Sequence, residues 1–152
     1  MGRTQKGWFG LKAPTDLLAK LQREAKRVED APLDPDHAFN FCITGYHLLD
    51  WTYGKGKSKV LEQEPLLKVL YDLANGIKHF ELERPFGAVK VAGGMPSWAE
   101  YPFRISPGKR VINARMLYVQ LDGDAAKQFG WIISVPDLAK KTLGFWKSQI
   151  PD

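Results

Sequence analysis

Asp36-His-Ala-Phe-Asn-Phe-Cys-Ile-Thr-Gly-Tyr-His-Leu-Leu-Asp-Trp-Thr-Tyr53 carries two apolar stripes at helical spacing. Ala38, Phe41, Cys42, Gly45, Leu48 and Leu49 make the first, and Phe39, Ile43, Tyr46 and Tyr53 make the second. Only Asn40, Thr44 and His47, with Asp50 beside them, keep a narrow polar line. A helix apolar almost all round is stable only when other helices cover it, so this one is expected at the centre of a bundle.

The flanking sequence supplies its partners. Pro14-Thr15-Asp16 has the signature of a helix start, and Leu17, Leu18, Leu21, Ala25 and Val28 then recur at helical spacing up to the break at Pro32–Pro35. Beyond the central helix, Tyr53-Gly-Lys-Gly-Lys-Ser58 reads as a flexible basic loop. It ends like a phosphate-binding loop, but the first glycine of that motif would fall on Trp51, and a helix stands where a strand is required. A third helix opens at Pro65 and buries Leu66, Leu67, Leu70, Leu73, Ala74 and Ile77, with Lys68, Tyr71, Asp72, Asn75, Lys78 and His79 on its polar side. Asn75-Gly76 is a strong turn signal within that pattern and marks a kink or an end.

From about Phe80 the period changes to short alternating runs, 88–92, 98–105, 111–121 and 125–134, read as antiparallel strands. Asp122-Gly123 between two of them predicts a type I′ hairpin turn, which needs positive φ at both central residues. A last helix from about Pro136 carries Leu138, Ala139, Leu143, Trp146 and Ile150. The expected fold is α+β: a mostly helical bundle of about four helices with an antiparallel hairpin or sheet inserted before the last helix, in one domain over 1–152 with a loose segment at 1–13.

Composition narrows the function. At 152 residues, 44% hydrophobic and 26% charged, the chain is long enough to bury a core without metal or disulfide. Its one cysteine, Cys42, closes no internal disulfide, its apolar runs are too short for a membrane span, and MGRTQKGWFG lacks a secretory core, so a cytoplasmic location is expected. The net charge of +5 is spread over the chain and marks no single binding face.

Chemistry concentrates on few residues. His47 stands with Asn40 and Asp50 on the central helix, and His79 follows Asn75 and Lys78. Antiparallel packing of these helices would bring His79 toward Asn40 and leave the two histidines roughly 10–15 Å apart, which argues against one shared site. A metal centre would need His37, His47, Asp50 and His79 to converge, and their spacing supplies only a weak pair, so no cofactor is expected. None of the serines Ser58, Ser97, Ser106, Ser134 and Ser148 has a nucleophile-elbow setting, and Cys42 on its apolar face reads as a small hydrophobe.

Phe41-Cys-Ile-Thr-Gly-Tyr-His-Leu-Leu-Asp-Trp51 together with Leu73-Ala-Asn-Gly-Ile-Lys-His79 resembles the central helices of HEPN-type proteins over about residues 36–80. HEPN domains are helical bundles, often dimeric, whose ribonuclease members carry Arg, a polar residue, a spacer and His. The resemblance puts Asn75 on the polar position and His79 on the histidine, whereas the arginine position falls on Ala74. It implies a binding or accessory protein, with RNA or a protein as partner, a homodimer, and a degenerate nuclease centre. A metal-independent ribonuclease using His79, with Lys78 or Arg84 steadying the phosphate, is the alternative. A third reading is a small-ligand or scaffold protein in which Trp98, Tyr101, Phe103 and Tyr118 line a pocket, and an apolar cleft open between sheet and helices would favour it.

Overall fold

The computed structural model describes residues 7–79, 86–93 and 116–151. Within them the chain is mostly helical with a small antiparallel sheet: α1 (Pro14–Asp30), α2 (Pro35–Tyr53), α3 (Lys57–Gln63), α4 (Pro65–His79), β1 (Val89–Gly93), β2 (Tyr118–Leu121), α5 (Gly123–Phe129), β3 (Ile132–Ser134) and α6 (Val135–Gln149). Helix α2 packs against α1, α4 and α6. Its first apolar stripe is covered by them, with Phe41, Leu48 and Leu49 wholly buried, while Ile43, Tyr46 and Tyr53 of the second are half-buried and Phe39 is exposed.

The helix starts follow local chemistry. Proline occupies the first turn of α1 and α2, where a missing N–H costs nothing. Asp16 Oδ2 accepts from the backbone N–H of Lys12 and Ala13, Asp34 accepts from Asp36, and Ser134 Oγ accepts from Asp137 at the head of α6. Gly45 provides the close approach of α2 and α6: a Cβ there would lie 3.3 Å from Thr142 Cγ2. The buried Trp146 indole N–H donates to the Gly45 carbonyl at 3.0 Å. The bundle also buries polar groups. Glu24, 3% exposed, pairs with Lys20, whose Nζ also donates to Thr44 Oγ1 at 2.8 Å. Thr44 thus faces α1 from a buried position and does not extend an exposed polar line.

The sheet runs β1-β2-β3, antiparallel throughout, with Ala92 opposite Val119 and Val119 opposite Ile133. It follows α4 and precedes α6, where the inserted sheet was expected. Asp72 fastens it to α4: its buried carboxylate accepts from the N–H of Phe86 at 2.8 Å, Ala88 at 2.9 Å and Val89 at 3.3 Å.

Two local expectations are corrected. Asp122-Gly123 is no hairpin turn, because Asp122 sits in extended backbone at φ −140° and its carboxylate caps α5 by accepting from Gly123 N–H. Only Gly123 has positive φ, so a helix interrupts the run read as a strand over 125–134, leaving β3 at Ile132–Ser134. Residues 54–63, expected to open with a flexible loop, form a 3₁₀ turn at Gly54–Gly56 and then α3, anchored by buried Leu61. Helix α4 runs through Asn75-Gly76 to His79, since the apolar stripe continuing from Leu73 to half-buried Ile77 outweighs the cost of about 1 kcal/mol for an internal glycine. The expected strand 98–105 and much of 111–121 lie outside the described residues.

Candidate functional site

Helix α2 ends at Gly54, which adopts φ +52°, and the 3₁₀ turn reverses the chain so that α3 and α4 follow. Helices α2 and α4 lie side by side with Tyr46 against Tyr71, ring centroids 5.6 Å apart and nearly perpendicular. Between them runs a groove of about 700 Å³. From α2 it is lined by Phe39, Ile43, Tyr46, His47 and Asp50, from α3 by Lys57, and from α4 by Tyr71, Ala74, Asn75, Ile77, Lys78 and His79.

Both histidines therefore border one groove. The separation expected along antiparallel helices does not keep them from lining the same groove. His47, Lys78 and His79 are exposed, while Asp50 and Asn75 are half-buried. Asn40, also expected here, is exposed on α2 outside the groove lining. Arg84 lies outside the described residues, as do Trp98, Tyr101 and Phe103, whereas Tyr118, buried on β2, lines a cavity between the sheet and the helices.

The groove holds groups that spacing did not single out. Lys57, read as part of a loop, heads α3 and gives its ammonium to Asp50. That hydrogen bond pushes the Lys57 ammonium above the ordinary lysine range against the opposing effect of burial. Burial likewise pushes the Tyr46 phenol up; Lys57 counteracts this and the Asp50 charge adds to it. Three rings of the groove wall follow one another, His47 6.2 Å from Tyr46 and Tyr46 edge-on to Tyr71, and Tyr71 meets Phe86, outside the groove lining, edge-on at 4.8 Å. Ala74, the position where the HEPN resemblance calls for arginine, is buried on the groove floor and presents a methyl group. Among the described residues no group of three or more His, Cys, Asp or Glu side chains converges as a metal site would. His37 is drawn instead to Asp34, with Nε2 3.4 Å from Oδ2.

A second cavity, about 440 Å³, opens between α2, α4 and the sheet. Its lining is mainly apolar, including Ala38, Phe39, Cys42, Leu73, Ile77, Val89, Leu117 and Val119. Phe39 and Ile77 line both cavities and form the wall between them. Cys42 is buried here, and burial, aided by the charge of Glu24, pushes its thiol up to about 12. It is therefore a protonated packing group at neutral pH, with little thiolate for nucleophilic chemistry. Asp72 also lines the cavity, but its carboxylate is taken up by three backbone N–H groups. No helix of the described residues is long and apolar enough to cross a membrane. Comparison of the chain with family models, curated proteins and solved structures returns no match.

Proposed function

We propose that the chain is a HEPN-like cytoplasmic binding protein whose α2–α4 groove takes single-stranded RNA without cutting it. The observation that carries this reading is the composition of the groove: Lys57, Lys78, His47, His79 and Asn75 supply cations and hydrogen-bond donors for phosphate, and Phe39, Tyr46 and Tyr71 line it with aromatic surface for bases. Ala74 on the floor explains why binding is not followed by cleavage. The developing charge of a pentacovalent phosphate needs a preorganised cation, and a planar guanidinium holding it by two bonds has no counterpart in a methyl group. His79 is exposed on the groove and not hydrogen-bonded into a core, as a site facing a partner requires. The reading includes a homodimer, as the HEPN resemblance implies, which sedimentation velocity would test.

The experiment is fluorescence anisotropy of a mixed-sequence single-stranded RNA, run beside a gel assay for cleavage in EDTA. Binding without cleavage is expected, with Lys78→Ala and His79→Ala each weakening it about threefold to tenfold and reducing the salt dependence. Cleavage by the wild type that His79→Ala abolishes would instead establish the metal-independent nuclease.

A second reading rests on the apolar cleft between sheet and helices: a small apolar ligand lying against Leu73, Ile77, Val89 and Val119. Saturable binding of an apolar dye that leaves RNA affinity untouched would separate it from the first.

A further inference from the structure

The groove contains a cation that is held by its own counter-ion. Lys57 reaches from α3 to Asp50 on α2, and both side chains are part-exposed, at 38% and 41%. Across the groove, the buried methyl of Ala74 stands on α4 in line with Asn75, Lys78 and His79. A part-exposed ion pair is weak, because solvent screens it and the lysine stem loses rotamer freedom to make it. An incoming phosphate can therefore take the ammonium from Asp50, and Lys57 is better placed to hold it than exposed Lys78, since its position beside Tyr46 and Tyr71 is less screened.

We infer that Lys57 is the phosphate-binding cation of the α2–α4 groove and that Asp50 restrains it, so that anion binding proceeds by exchange of the Asp50 carboxylate for a phosphate oxygen on the Lys57 ammonium. This deepens the RNA reading and rests on it for the identity of the natural ligand, while the exchange itself is a property of the ion pair and can be read with an inorganic anion. The consequence is opposite signs for two neighbouring substitutions. Removing Lys57 weakens anion binding. Neutralising Asp50 strengthens it, but only while Lys57 is present.

The test is calorimetric titration of inorganic tripolyphosphate into the full chain, as wild type, Lys57→Ala, Asp50→Asn and the double variant, with the RNA anisotropy repeated on the same four proteins. The part exposure of both side chains keeps these changes out of the core, and matched helical circular dichroism verifies the fold. Lys57→Ala is expected to bind about tenfold more weakly, Asp50→Asn about threefold more tightly, and the double variant like Lys57→Ala. A gain from Asp50→Asn that survives in the double variant would reduce Asp50 to a general repulsion and overturn the proposal. So would equal binding by all four proteins, or no binding of tripolyphosphate by the wild type and Asp50→Asn. Should the expected order hold for tripolyphosphate while none of the four binds RNA, the exchange stands and the RNA reading falls. Lys57→Arg, which keeps the charge, should bind at least as tightly as wild type; a tenfold loss there would show that the lysine acts through helix packing and not as a cation.

Discussion

The two cavities share a wall, Phe39 and Ile77, and draw on the same two helices, yet they treat their acidic residues in opposite ways. On the sheet side Asp72 is 1% exposed and accepts three backbone N–H bonds, so its carboxylate is fully used in joining α4 to the start of β1. On the groove side Asp50 is part-exposed and has one lysine for a partner. A carboxylate held by several main-chain donors cannot leave without stranding them, whereas one facing a mobile ammonium can be exchanged. Burial and partner type, more than the presence of an acid in a cavity, separate a structural carboxylate from one available to a ligand.

The largest effect should come from attacking that distinction directly. Asp72→Ala strands three N–H groups at the edge of the core and should cost about 3–5 kcal/mol, seen as a large fall in the denaturant midpoint, while Asp50→Ala should stay within about 1 kcal/mol of wild type. Comparable losses for the two would erase the contrast. Asp72→Asn sharpens it, since the amide retains one acceptor oxygen and should recover part of the loss.

The four long helices and the centrality of α2 were legible in the sequence because a buried stripe leaves a periodic trace, and α1, α4 and α6 each repeat one stripe. Asn75, Lys78, His79, His47 and Asp50 were legible as polar residues of two helices, but that all five border one groove was not. Lys57 was hidden, because Asp50 and Lys57 meet across a chain reversal at Gly54–Gly56, and a pair formed that way has no helical or strand spacing to reveal it. Asp122-Gly123 misled for a related reason: an aspartate that caps a helix and one that enters a hairpin look alike until the backbone angle at Asp122 is known. The role of Asp72 was hidden as well, since its partners are backbone groups 14 to 17 residues away that have no side-chain signature.

Smaller effects test the apolar side. Ala38 lines the cleft but not the groove, so Ala38→Trp should fill the cleft and abolish binding of an apolar fluorescent dye while leaving RNA affinity within about twofold. Loss of both would show that the two cavities work as one site. Cys42, deeper in the same cleft, gives a stability test with a fixed sign. Burial pushes its thiol from the ordinary 9.0 up to about 12, so the unfolded state releases its proton first and stability drains away as pH rises from about 9 toward 12. Cys42→Ala removes this part of the alkaline loss, so the gap in unfolding free energy between wild type and variant should shrink between about pH 8 and about pH 10. A gap that stays constant across that window would mean the folded thiol ionises like a free one. Ellman's reagent offers a parallel reading, with slow labelling of the native chain and fast labelling in denaturant.

The smallest signal comes from Tyr46, and it reports on the groove without any ligand. Burial raises its phenol, the Asp50 charge raises it further, and the Lys57 charge pulls it down. Asp50→Asn should therefore lower the Tyr46 titration and Lys57→Ala should raise it, each followed through the ring carbons by two-dimensional NMR between about pH 8 and about pH 12. Tyr53 serves as the internal control, because its phenol is raised by burial and by Glu64 and donates to Gln149 on α6, with neither Asp50 nor Lys57 among the causes. Opposite movements of Tyr46 beside a still Tyr53 would place both charges at the groove wall in solution. If the two tyrosines moved together, the substitutions would be altering the bundle as a whole, and the contrast between an exchangeable Asp50 and a fixed Asp72 would lose its basis.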